Sequence, residues 1–144
     1  MDNQNCPSNS RCVNKTVYKI ARYGLGLIYF VFGGAGLLNL MPPPADLPAN
    51  LQTFMAGIMV SGYFFPLLKG TETICGFLLL AGIAPALALV ILAPITLNII
   101  LVHTFLTPGL QNLVLPIIML ILHLAAAAAF WPLYRPLFRR VPAW

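Results

Sequence analysis

The chain has 144 residues, 60% of them hydrophobic and only 8% charged, with a net charge of +5 and a mean hydropathy of +0.88. A soluble domain carries roughly 25% charged residues, so this composition excludes one and points to an integral membrane protein organised as a single bundle. The positive charge does not point to nucleic acid, because the basic residues are split between the two ends of the chain and flank hydrophobic segments.

Arg11, Lys15, Lys19 and Arg22 precede or open the first apolar run. That run is expected to form a membrane helix over about residues 17–41 and to stop at Pro42-Pro43-Pro44, which cannot continue a helix. The order of charge then hydrophobicity is that of a signal peptide. The run is too long for one, however, and no A-x-A pattern follows, so it reads as an uncleaved first span. Gly26 and Gly33 lie on one face with Gly36 adjacent, and the same stretch holds Gly24 and Gly34. No strand precedes these glycines, so they read as a surface for close helix approach and not as a dinucleotide loop. Asn39 lies near the end of the span, where it either caps the helix or joins a polar pocket.

The apolar segment over about residues 51–64 is short for a crossing of roughly 20 residues. It reads as an extra short helix dipping into the outer leaflet. Pro66 then suits the first turn of a second span over about residues 66–82. A tight turn at Ile83-Ala84-Pro85 leads into a third span, about residues 85–106, interrupted by Pro94. Thr107-Pro108 resembles a cap followed by a first-turn proline for a fourth span, about residues 109–131. The fold class expected is therefore all-α, a four-helix transmembrane bundle. Residues 1–16 form a polar tail and residues 139–144 a basic one. Arg135, Arg139 and Arg140 follow the last span, whereas the 41–50 connection holds only Asp46. The positive-inside rule then puts both termini in the cytoplasm, which requires an even number of crossings. A fifth crossing through residues 51–65 would leave these arginines outside. Tyr23, Trp131 and Tyr134 fall at the inner interface, where amphipathic rings are favoured, and the Ala125–Ala129 run suits close packing of the last span.

Glu72 is the residue to explain. It is the only acidic residue after Asp46, and no Asp, Glu, Lys or Arg occurs between Thr73 and Tyr134. A charge at bilayer mid-depth costs roughly 3 kcal/mol. Lys69 lies three residues earlier on the same helix face, and Gly76 continues that face. From a rise of 1.5 Å per residue, Lys69 and His103 fall about 4 to 5 Å from the outer end of their helices, Glu72 about 9 Å and Asn98 about 12 Å. All four are thus expected in the outer half of the bundle. Asn98 and His103 stand about 140° apart around their helix and cannot share a narrow stripe. Thr96 shares the face of His103, and Phe105 that of Asn98.

Two functions fit these residues. In the first they form a polar pocket in an apolar wall, suited to a lipid-soluble carbonyl compound such as a quinone. Glu72 and His103 would handle protons there, with Lys69, Asn98, Asn39 and Gly76 binding or orienting the ligand. In the second, the Lys69–Glu72–Asn98–His103 cluster is structural, and the protein is a scaffold that binds lipid or a partner without turnover. Transport is weaker, since neither an inverted repeat nor polar residues through the full depth are present. His123 lies about 16 Å from the depth of His103, which argues against bis-histidine haem and for a packed, hydrogen-bonded residue. No Cys/His/acid set has metal-ligand spacing. Cys6 and Cys12 in the tail and Cys75 in the membrane form no C-x-x-C pair. Asn14-Lys15-Thr16 matches a glycosylation acceptor but falls on the expected cytoplasmic side.

The segment Phe65-Pro66-Leu67-Leu68-Lys69-Gly70-Thr71-Glu72-Thr73-Ile74-Cys75-Gly76, with Leu92-Ala93-Pro94-Ile95, Leu97-Asn98-Ile99, His103, Phe105-Leu106 and Pro108, resembles the DoxX family of small bacterial membrane proteins. Arg22 to Gly26 and Gly33-Gly34 also resemble that family, and the likeness covers about residues 17–138. It implies a four-helix protein of the bacterial cytoplasmic membrane in a quinone-linked or thiol-redox setting. The chain itself carries no electron-transfer cofactor motif, so the first function becomes that of a subunit without an intrinsic cofactor that assists a redox-enzyme partner, and a homo-oligomer is also open. Glu72, Asn98, His103 and Lys69 are the motif positions.

Overall fold

The computed structural model describes residues 15–40, 47–107 and 109–138. Cys6, Arg11, Cys12, Asn14, the Pro42–Pro44 run, Asp46, Pro108, Arg139 and Arg140 lie outside these residues. Those described form α1 (Lys15–Leu37), α2 (Ala49–Val60), α3 (Phe64–Ala81), α4 (Pro85–Phe105), α5 (Leu110–Ala129), a short α6 (Trp131–Tyr134) and a single 3-10 turn (Arg135–Phe138), with no strand among them. Four of the helices, α1, α3, α4 and α5, are long and apolar enough to cross a membrane, and α2 is shorter. The protein is a multi-pass membrane protein of the expected all-α class.

The helix ends follow local chemistry. At the end of α1, Asn39 takes a left-handed conformation (φ 53°), its amide bonds the Gly36 carbonyl and the Leu40 amide bonds the Ala35 carbonyl. That pattern satisfies carbonyls that a helix end leaves free. Asn39 thus ends the helix through its backbone, and its side chain is exposed. Gly82 (φ 73°) does the same for α3, with Ile83 bonding the Leu78 carbonyl. The turn continues through Ala84 (φ 45°) to Pro85 at the start of α4. The α2–α3 corner is held by Ser61, whose hydroxyl donates to the Ile58 carbonyl (2.8 Å) and accepts from the Phe64 amide (3.1 Å). α3 therefore starts two residues ahead of Pro66, which remains within its first turn.

Thr107 departs from its expected role. Its hydroxyl donates back to the His103 carbonyl (3.1 Å), so it closes the end of α4, and α5 starts at Leu110 after Gly109 without a side-chain cap. A threonine hydroxyl has one proton, and a free carbonyl one turn behind it takes that proton.

α1 packs most extensively on α3 and also on α5, and α4 packs on α5 and α3, which closes a ring of four helices. The core joins Ala21, Leu25 and Tyr29 of α1, Cys75 and Leu79 of α3, Ala88, Leu89 and Leu92 of α4, and Met119 and Ala126 of α5. The α1–α3 seam is where backbones come closest. A Cβ on Gly76 would sit 2.5 Å from the Phe30 amide nitrogen, one on Gly33 2.7 Å from that of Thr73, and one on Gly36 2.8 Å from Lys69 Cδ. These glycines and Gly26, which faces Gly76 and Leu79, let the antiparallel helices meet along their length. At the basic end the Arg22 guanidinium reaches Gly82, at the C-terminal turn of α3, where a cation complements the helix dipole. The same guanidinium lies over the Tyr23 ring at 4.4 Å. Tyr134 donates to the Ala86 carbonyl (2.9 Å); burial and the neighbouring Tyr18 push its phenol above the usual range, keeping the donor proton in place.

Large apolar side chains such as Ile74, Phe77, Leu97, Ile121 and Leu124 cover the outside of the bundle, as a surface solvated by lipid requires. α2 buries no residue and packs on α3.

Candidate functional site

The polar side chains of the bundle fall into three environments, and the site residues expected from sequence are divided between two of them and the outer surface. The first is the Lys69–Glu72 pair. Lys69 Nζ donates to Glu72 Oε2 at 2.8 Å, and the carboxylate side chain is 4% exposed against 21% for the lysine. Both side chains lie along the glycine face of α1, Lys69 against Gly36 and Glu72 against Gly33. Gly76 leaves no open room beside the carboxylate: the space that its missing side chain vacates is taken by the Phe30 backbone. Because α3 begins at Phe64, Glu72 is about 12 Å from that end of the helix. A buried carboxylate at that depth is tolerated because it is paired and hydrogen-bonded.

The second environment escaped the sequence. Tyr29 of α1, Thr96 of α4 and His123 of α5 form a buried chain: Tyr29 Oη to Thr96 Oγ1 at 2.7 Å and Thr96 Oγ1 to His123 Nδ1 at 3.0 Å. Thr96 Oγ1 also donates to the Leu92 carbonyl one turn back (2.9 Å), and His123 is buried. It is the packed, hydrogen-bonded helix residue that its isolated depth implied. The chain crosses the bundle from α1 to α4, which are not sequence neighbours, and on to α5, and the Glu72 carboxylate is within electrostatic reach of Tyr29. The available signal was the presence of three hydrogen-bonding side chains in the middle of apolar spans.

The third environment is the α4–α5 end remote from the basic residues. His103, half-buried, donates from Nδ1 to the Ile99 carbonyl at 2.7 Å. A carbonyl only accepts, so Nδ1 carries a proton, and in the tautomer with no second ring proton Nε2 is an acceptor. Nε2 has no partner among the described residues. His103, Thr104, Gly109, Leu110 and Leu113 line an open recess of about 290 Å³ there. Its wall is apolar apart from the imidazole and the Thr104 hydroxyl, which is turned back to the Ile100 carbonyl (2.8 Å).

Asn98 and Asn39 join none of these. Asn98 is exposed on the outer surface of α4, while Thr96 on the other side is 2% exposed. The angular separation read from sequence holds, and it sends Asn98 outward and His103 toward α5. Among the described residues no three His, Cys, Asp or Glu side chains converge as a metal-ligand group. No protein-family model, no curated protein and no solved structure matches the chain.

Proposed function

We propose that this membrane protein is of the DoxX type, sits in the bacterial cytoplasmic membrane with its basic end on the cytoplasmic side, and binds a quinone or similar lipid-soluble ligand to assist a redox partner. The observation that carries the reading is the His103 imidazole, tied through Nδ1 to Ile99, without a described partner at Nε2, and lining a largely apolar recess. An acceptor at that position is matched by a hydroxyl, so the reduced, quinol form is favoured over the carbonyl form. Nε2 takes the proton of the hydroxyl it meets, a general-base role, while the second hydroxyl releases its proton to water at the open mouth of the recess and the two electrons pass to the partner's acceptor. The recess has room for a ring, and the alkyl tail of such a ligand lies along the apolar surface of α4 and α5. Glu72, already held by Lys69, acts in this reading by fixing α3 against α1.

The test is equilibrium binding of a decyl-chain benzoquinol, kept reduced, to the full chain in nanodiscs. His103→Phe is expected to weaken binding about tenfold or more, the loss of roughly 1.4 kcal/mol or above, with no drop in unfolding midpoint. Equal affinity in both proteins, or no binding by the unaltered protein, would refute the site.

A further inference from the structure

We infer that the outer face of α4, centred on Asn98, is the interface of a homodimer in which the two Asn98 amides hydrogen-bond to each other. Asn98 lies seven residues before Phe105 in α4, about 10 Å from that end of the helix and therefore within the hydrocarbon. Its side chain is exposed and has no hydrogen-bond partner among the described residues. Lipid tails supply neither donor nor acceptor, so an amide at this depth is paired only by another polar group brought to it.

The surroundings say what brings it. Leu87, Ile91, Pro94, Asn98, Leu101 and Phe105 are all exposed. They follow one another at alternating intervals of four and three, the spacing of a helix–helix seam with a single polar position in its middle. The stripe points roughly 135° away from Ala88, Leu92, Thr96 and Ile99, which face the bundle. Pro94 adds a second unmet group, since it has no N–H for the Val90 carbonyl. An amide carries both donor and acceptor and so complements its own copy across a two-fold axis. Two copies inserted in the same orientation bring their α4 helices together in parallel, which places the two Asn98 residues opposite each other. A foreign helix would need its own polar residue at the same depth, whereas a second copy supplies it by symmetry. His103 faces another direction, so the dimer leaves its recess open and stands whether or not that recess binds a ligand.

The experiment measures energy transfer between donor- and acceptor-labelled full chains in phosphatidylcholine vesicles over a series of lipid dilutions. Asn98→Leu is expected to raise the dimer Kd about tenfold, or about 1.4 kcal/mol, and Asn98→Gln to recover most of the loss. With the native cysteines replaced, Leu101→Cys is expected to cross-link on oxidation and Leu124→Cys on α5 is not. A monomer at every dilution, an undiminished dimer in Asn98→Leu, or cross-linking at Leu124→Cys in place of Leu101→Cys would each overturn the proposal.

Discussion

Glu72 and Asn98 are two polar side chains at similar depth in neighbouring helices, about 12 and 10 Å from the same end, with opposite fates. Glu72 is 3% exposed and bonded to Lys69, whereas Asn98 is exposed and bonded to no described residue. The difference lies in the helix facing each. α3 meets α1 across glycines, close enough for the backbones to enclose the ion pair. α4 turns its Asn98 face away from every helix of the bundle. A polar group enclosed by its own fold stabilises that fold, and one left on the lipid face calls for something from outside the chain.

The largest effect is expected from opening the enclosed pair. Lys69→Met leaves a buried carboxylate without its cation, a change that costs about 3 to 5 kcal/mol where the partner is fully buried. Lys69 is 21% exposed, so about 3 kcal/mol is expected in reversible unfolding of the detergent-solubilised protein. The double variant Lys69→Met/Glu72→Leu should regain most of it, since no lone charge remains. A double variant as unstable as the single one would show that the pair is not what the seam encloses. Next in size is Gly76→Ala, whose new Cβ would meet the Phe30 amide nitrogen at 2.5 Å; about 1 to 3 kcal/mol of destabilisation follows from overpacking. Gly70→Ala, on the same helix with nothing within 4 Å, is the control and should be neutral or stabilising by up to about 1 kcal/mol. Equal losses at the two glycines would remove the case for close approach.

The sequence carried the enclosed side of this comparison better than the open side. Lys69 and Glu72 are three apart on one helix, and Gly26, Gly33 and Gly36 share a face, so local geometry alone relates them. The angle between Asn98 and His103 was equally local, but their directions were not. Leu87, Val90, Ile91 and Leu97 outside are as apolar as Leu89 and Leu92 inside, and a helix that is apolar all round has no face that sequence can choose as inner. Thr107 was ambiguous for another reason: a hydroxyl between two helices can cap either, and the choice depends on where the α4 carbonyls end. Tyr29, Thr96 and His123 sit on three helices, and their meeting depends on helix register and tilt, which no spacing within one helix encodes.

That three-helix chain supplies the smallest expected effect and the sharpest question about the enclosed side. The Thr96 hydroxyl donates its one proton to the Leu92 carbonyl (2.9 Å), so it accepts from the Tyr29 hydroxyl and from the Nδ1–H of His123. In that order Thr96 is the hub, the acceptor for two donors from two other helices. Thr96→Val strands both the Tyr29 hydroxyl and His123 Nδ1 and is expected to cost about 2 kcal/mol, two unmet groups at about 1 kcal/mol each. Tyr29→Phe removes only the terminal donor, and interhelical hydrogen bonds in membranes average about 0.6 kcal/mol. With Thr96→Val already in place, adding Tyr29→Phe is expected to cost nothing or to recover stability, because the stranded hydroxyl goes with it. If Tyr29→Phe alone costs as much as Thr96→Val, the hydroxyl has a second partner. One acceptor in electrostatic reach is the Glu72 carboxylate, which would then share the single Tyr29 proton with Thr96, and the ion pair and the three-helix chain would be one network, with the seam and the bundle core failing together.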